Sequence, residues 1–573
     1  MKLGRLAEYF REQGVISGAV LTADRLLGRQ APEIPYQLWL ERSRPSSGDY
    51  MKMEKESLPY NPVIGVRASM PPEGRISFFQ SLEMQVYRNF RALKNCPQAE
   101  YILIADRSCT LRPDLLYECA LLLNQAEEGD IDLIYFDSDR IGEDGRKQQP
   151  SFRPEFDPEL LEQVNYMGSV VLVRAQAAYE AGLPAAGEKA FHDFLKRVCL
   201  PEEWNSMAGS DGPEQSVRES AEWSSVRGPV RHIPKVLYHK DGKAVLPGGS
   251  PGAEGGGNDT DSPALSRIPS GMSLPPDTGR EPLISVLIPN RDHVDDLKRC
   301  IDSLLEVNTW KNLEILILEN HSSSGTFDLY RQMQESDPRI RVLNWDREFN
   351  YSAINNFGAR HAKGEYLLLL NNDTRILEPQ SIAFMHQLSS RQGVGAVGAL
   401  LCYPDGSVQH GGIILGKGGI AGHAFEGRRP MEEAEPFPRM VFSHTHNVSA
   451  VTGACMMLPR SVWNDAGGMD ERLEVTFNDV DLCMRLRSAS LRILMCPAAR
   501  LVHYESASRG SEDTPEKVAR FHREIRIFVH RWEKELQEGD PFYNPNLTLL
   551  GKDWTCRDAR RETVKPYRKY MEL

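Results

Sequence analysis

The chain has 573 residues, 40% hydrophobic and 26% charged, the balance of an ordinary soluble globular protein whose length implies several domains. A formal net charge of -12 leaves no domain-scale basic excess and so argues against a nucleic-acid binder that works by counterion release, with only a local basic patch left open. The ten cysteines are scattered with no paired metal-ligand spacing, as in a reducing cytosol, and no apolar run is long enough to span a bilayer.

In chain order, residues 1–60 read as a helical N-terminal segment; its stretch Gly14 to Ala23 is too short and polar for a membrane span and lacks a cleavage site. Residues 61–241 form a first α/β unit with strand-like runs at Pro62 to Val66, Tyr101 to Ala105, Leu133 to Asp139 and Pro234 to His239. Between 242 and 281 Gly, Ser, Pro and Asp dominate, a composition that cannot bury enough apolar surface to fold and reads as a flexible linker.

Residues 282–510 alternate regularly. Strand-like Leu283 to Ile288, Leu313 to Leu318, Ile340 to Asn344 and Tyr366 to Leu370 are separated by helical patterns at Val294 to Val307, Phe327 to Gln334 and Tyr351 to Ala362. Such alternation predicts right-handed crossovers and a mainly parallel sheet covered on both faces. Residues 511–573 then read as a helical extension that starts at Thr514-Pro515, includes Trp532, and packs on the preceding domain or on lipid.

The most informative stretch is Leu367 to Leu370 running into Asn371-Asn372-Asp373. A continuous apolar run of this kind is a buried strand, and it delivers the polar triplet at the sheet edge where open α/β sheets bind ligands. Asn and Asp also favour turns, but an aspartate at such a tip can hold a hard cation that bridges substrate phosphates. Further on, Asn478-Asp479 precedes the apolar-periodic Val480, Leu482, Cys483 and Leu486 and fits a helix N-cap, with Asp481 pointing to another side of the helix.

The first half echoes the second. Pro62 to Val66 parallels Pro282 to Val286, Glu100 to Asp106 parallels Glu365 to Asn371, and Pro234 to His239 resembles Pro497 to His503. Val66 to Asp106 is 40 residues against 87 from Val286 to Asp373, which predicts a duplication whose first copy has lost about two strand–helix units.

Ordered motifs in the second half, Pro289-Asn290-Arg291-Asp292, Glu319-Asn320-His321-Ser322, Phe349 to Gly358, Asn371-Asn372-Asp373, Gly467 to Glu471, Asn478 to Leu482 and His503 to Ser506, resemble those of the family 2 glycosyltransferases of the GT-A fold, particularly bacterial members that build cell-surface polysaccharides. The family often carries two such domains in tandem. The resemblance implies a nucleotide-sugar-binding sheet present as a reduced copy and a full copy, and an inverting transfer of a hexosyl or rhamnosyl unit to a surface polysaccharide or lipid-linked glycan. It implies a donor-binding set of Pro289, Asn290, Arg291, Asp292, Glu319, Asn320, Asn356, Asn371 and Asn372. Asp373 and His503 would hold Mg2+ or Mn2+, and Asp479 would be the general base.

Glu319 stands where the family commonly has aspartate, His321 where it has glycine, and Asn371 where the metal motif usually begins with aspartate. UDP and dTDP sugars therefore both remain open, and metal affinity without the diphosphate would be modest. In the first half Asp106-Arg107-Ser108 puts a cation where the metal would sit, which implies a catalytically silent domain. The expected location is the cytoplasm, with any membrane contact peripheral at its inner face. A non-catalytic glycan- or nucleotide-binding protein is the alternative reading.

Overall fold

The computed structural model describes residues 34–127, 130–200, 230–241, 281–429, 436–505, 514–551 and 553–560. The Gly14 to Ala23 stretch, the linker between 242 and 280, Ser506 of the last motif and the final residues 561–573 lie outside the described residues.

The second half is built on one sheet in the order Ile340–Asn344, Leu313–Glu319, Ile284–Asn290, Tyr366–Leu370, Cys455–Pro459, Val394–Cys402, Arg492–His503, Thr374–Ile376. The first four strands are parallel, as the alternation predicts. Beyond Tyr366–Leu370 the sheet is mixed, because Cys455–Pro459 returns antiparallel to both its neighbours. Every residue of Leu313–Glu319 and of Tyr366–Leu370 is buried, so the apolar runs sit at the centre between two helical layers. The helix expected from Val294 to Val307 is regular only over Val294–Asp302 and continues as a π-turn at Ser303–Val307.

The C-terminal extension packs on protein. Helix Pro515–Arg531, capped by Thr514, buries Ile525, Phe528 and Val529, and the Phe528 ring stacks on Phe477 with centroids 5.1 Å apart. Phe477 immediately precedes the helix Asn478–Ser488, so this contact ties the tail to the start of that helix. Among the described residues no helix is long and apolar enough to cross a membrane.

The first half repeats the topology. Its sheet runs Phe90–Ala92, Ile64–Ala68, Tyr101–Ala105, Val170–Arg174, Leu133–Ile141, Val230–Asp241, Cys109–Leu111, with the same alternation of parallel and antiparallel neighbours. The three sequence echoes fall on equivalent strands. The loss is smaller than residue counting predicts: among the described residues nothing replaces Ile340–Asn344, but the three-residue Phe90–Ala92 still occupies the place of Leu313–Glu319. A strand that short, with Arg91 at its centre, carries no apolar signal.

Polar groups buried between the halves join them. Glu159 is fully buried, with Arg391 Nη1 2.6 Å from one carboxylate oxygen and Arg492 Nη1 3.2 Å from the other. Asn447 donates to Asp157 through its backbone at 2.8 Å and its side chain at 2.6 Å, and Asn544 donates to Asp137 at 2.9 Å. Removing one partner from such a site leaves the others buried and uncompensated. Glu159→Ala is expected to cost about 3 kcal/mol, the lower end of the range for buried pairs because Arg391 keeps some contact with water, and to show as earlier thermal unfolding.

His446 lies on the same interface, buried, with Nδ1 2.9 Å from the His444 carbonyl. Burial pushes its imidazole down to about 4. Because the folded pKa is depressed, this contribution is present above the ordinary 6.5 and is lost as pH falls toward 4, with a slope of at most about 1.4 kcal/mol per pH unit. The neighbouring Asp157 carboxyl, raised to about 6 by burial, acts in the opposite sense, losing its contribution as pH rises from 3.8. The difference between wild type and His446→Gln isolates the histidine: melting curves at pH 7 and pH 5 are expected to differ less in the variant.

Candidate active site

Asp373, His503 and Gln409 meet at the carboxyl edge of the second sheet. Thr374 pairs with His503 across adjacent strands, which sets the imidazole beside Asp373, with Nε2 3.0 Å from Asp373 Oδ1. His503 Nδ1 lies 2.6 Å from Gln409 Oε1, and Gln409 Nε2 donates to the Glu505 carboxylate at 3.3 Å. A carboxylate only accepts, so this contact fixes the amide with its oxygen toward His503. Nδ1 then carries a hydrogen, and Nε2 is the ring nitrogen that faces the carboxylate.

Two electron-pair donors 3.0 Å apart at a buried strand tip fit a divalent cation. Among the described residues no cluster of three His, Cys, Asp or Glu side chains suited to a metal is present, so a cation held here would need further ligands from elsewhere. Asn371 Nδ2 is 3.3 Å from His503 Nε2 and adds no charge.

The loops expected to hold the nucleotide are tied to one another. Asn290 receives the Asn372 amide at 2.6 Å and donates to Tyr330 Oη at 2.7 Å, so the ends of the first and fourth strands are bridged. Pro289 is partly exposed and Arg291 is exposed beside this bridge. Asp292, at φ +54°, accepts from Ser323 N, Ser323 Oγ and Thr326 Oγ1, which holds its carboxyl below the usual range. Glu319 is fully buried and accepts from Ser322 N, Ser322 Oγ and Tyr330 Oη. Asn320 donates to the Trp345 and Arg347 carbonyls. In this structure the polar atoms of Asp292, Glu319 and Asn320 shape the nucleotide loops. Arg291 is exposed at this edge.

Asn356 is placed elsewhere. Its amide pairs with the backbone of Met469, donating at 2.9 Å and accepting at 2.9 Å, and also donates to Glu471. It anchors the turn Gly467-Gly468, both at positive φ, where a Cβ on Gly468 would lie 2.4 Å from Asn356 Oδ1.

Asp479 stands at the second position of helix Asn478–Ser488, not at its cap; the capping residue is Phe477 in a left-handed conformation. Asp479 Oδ2 accepts from Gly453 N at 2.9 Å and Oδ1 from Val480 N at 2.8 Å. The next residue, Ala454, accepts from Asn371 N, so a single short segment connects the Asp479 carboxylate to the polar triplet. Asp481 is fully buried and committed to Arg485, Arg531 and Trp532 Nε1. The loop before Asp479 is fixed from the tail: the fully buried Glu524 accepts from Glu474 N, Val475 N and Thr476 N. Gln409 and Glu524 belong to no motif that the sequence singles out, and nothing local to them marks their role.

Strand register shows what became of the same site in the first half. Cys109 pairs with Lys240 as Thr374 pairs with His503, so Ser108 stands for Asp373 and Lys240 for His503. His239, the histidine of the sequence echo, is one residue out of register and bonds Asp139. Burial pushes Lys240 down to about 8. Arg107 forms an ion pair with Glu188. Neither position carries a carboxylate or an imidazole in the first half.

Residues 281–524 match the family described as glycosyltransferase like family 2. The chain carries a family 2 glycosyltransferase domain. It is 34% identical over 482 residues to the uncharacterised protein y4gI of Sinorhizobium fredii, covering 80% of this chain and 50% of the relative. It is 34% identical over 469 residues to the O-antigen biosynthesis protein RfbC of Myxococcus xanthus, covering 78% and 34%. The N-acetylglucosaminyl-diphospho-decaprenol L-rhamnosyltransferase of Mycobacterium tuberculosis is 28% identical over 250 residues, 41% of this chain and 79% of that enzyme. The chain thus spans half the length of the first relative and about a third of the second. In this glycosyltransferase domain the Asp373–His503 pair and Asp479 occupy one sheet edge.

Proposed function

We propose that the chain is an inverting, metal-dependent glycosyltransferase that moves a hexosyl or rhamnosyl unit from a UDP- or dTDP-sugar to a cell-surface polysaccharide or a lipid-linked glycan on the cytoplasmic side of the membrane. The observation that carries this reading is the shared edge: a carboxylate–imidazole pair at the tip of the fourth strand, with a backbone-fixed carboxylate one short segment away. The relatives named for O-antigen biosynthesis and for rhamnosyl transfer support the acceptor class and the sugar.

Asp373 and His503 would hold the cation, which when bound supplies Lewis-acid stabilisation of the leaving diphosphate. Asp479, its position set by Gly453 N and Val480 N, takes the proton of the acceptor hydroxyl. As the acceptor oxygen bonds to the anomeric carbon, the bond to the phosphate oxygen breaks and its electron pair leaves with the diphosphate. Attack opposite the leaving group inverts the anomeric centre. The paired Asn290 and Asn372 and the exposed Arg291 offer polar contacts to the donor.

A screen of UDP- and dTDP-sugars with manganese, read by nucleotide release in the presence of lipid-linked acceptors, tests the proposal. Release with one donor class, lost on chelation, is the expected result. Calorimetric binding of donors with no release under any condition would instead mark a non-catalytic nucleotide-sugar-binding protein.

A further inference from the structure

Gln409 sits where the sheet is irregular. Strand Val408–His410 pairs with Val394–Cys402, but the register passes from Leu401↔His410 to Cys402↔Val408, one residue on one strand against two on the other. Gln409 is the extra residue of a β-bulge. Bulges re-aim side chains and concentrate near active sites. The same strand Val394–Cys402 pairs on its other side with Arg492–His503, Cys402 opposite Val502. The bulge therefore turns Gln409, 6% exposed, toward the next residue of that strand, His503.

We infer that Gln409 is a positioning residue for cation binding, holding His503 in the one tautomer and ring orientation that present Nε2 beside Asp373. Its oxygen receives the Nδ1 hydrogen at 2.6 Å, and Glu505 prevents the amide from turning over. A histidine without that acceptor divides between two tautomers and several ring angles, and only a part of that population offers its lone pair to the ion. The inference rests on His503 as a metal ligand, as proposed above. It adds a residue on a different strand, 94 positions away in sequence.

The test measures manganese binding to the full chain in the presence of UDP, by electron paramagnetic resonance of the free ion, alongside the manganese dependence of nucleotide release. Gln409→Leu is expected to raise the manganese Kd by about 10- to 100-fold, with turnover at saturating manganese largely kept. Gln409→Glu retains an acceptor against Nδ1 and is expected to stay within a few-fold of wild type. Gln409→Met, similar in length and lacking an acceptor, replaces the leucine variant should that protein fail to fold. His503→Ala is the control for the underlying reading: if it leaves manganese affinity unchanged, the ligand assignment fails. Weakened binding in His503→Ala with unchanged binding in Gln409→Leu or Gln409→Met overturns the role of Gln409 alone. Equal loss in the leucine and glutamate variants also overturns it, because the acceptor would then not be what matters.

Discussion

Asp479→Asn is expected to lower the turnover of the full chain by about 10²- to 10⁴-fold, the span that a positioned general base contributes, while leaving UDP binding within a few-fold of wild type. The substitution is close to isosteric, and the amide keeps one acceptor for either Gly453 N or Val480 N, the two donors that now fix the carboxylate. Helix Asn478–Ser488 should survive, because the amide oxygen can still accept from Val480 N at the helix start. Loss of turnover with donor binding retained therefore reports chemistry. Asp481 cannot take over, since Arg485, Arg531 and Trp532 already occupy its buried carboxylate. Nucleotide release at a wild-type rate in the Asp479→Asn protein, with calorimetric UDP binding unchanged, would remove Asp479 from the mechanism.

Features legible in the sequence were those with a local signal. Leu367 to Leu370 reads as a buried strand, and the strand end that follows from it places Asp373 at the sheet edge, as the structure shows. The echo between halves was visible because three apolar strands of a duplicated sheet kept their flanking residues. The reduced copy keeps more than residue counting predicts: Phe90–Ala92 is retained, only three residues long with Arg91 at its centre. The cap assigned to Asn478-Asp479 missed by one position, since Phe477 adopts a left-handed conformation that no propensity favours for a bulky residue.

Partners distant in sequence were not legible at all. Gln409 reaches His503 through a bulge, and Glu524 reaches the loop before Asp479 from a helix beyond residue 514. Both are ordinary polar residues whose neighbours are supplied by topology. Glu319 and Asn356 show the converse: their motifs mark them plainly, but in the folded chain their side chains hold loops, Glu319 at the end of its own strand and Asn356 across to Met469.

Asp373→Asn is expected to cost more than His503→Ala, because charge is scarce at this site. With asparagine at 371 and 372, Asp373 is the only carboxylate of the triplet, and His503 brings a neutral lone pair. Removing that charge takes away the electrostatic share of cation binding, several kcal/mol of leaving-group stabilisation, or about 10³-fold in turnover. Manganese affinity should be weak without nucleotide and tighten with UDP, whose diphosphate would add ligands to Asp373 and His503. Asn371→Asp should move the nucleotide-free affinity in the opposite direction. No second metal site is expected in the first half, since Ser108 and Lys240 stand at the positions of Asp373 and His503. Turnover surviving in Asp373→Asn at wild-type manganese dependence would show that the cation is held elsewhere, and the strand tip at Asn371-Asn372-Asp373 would then be a turn that shapes the edge without serving as its metal centre.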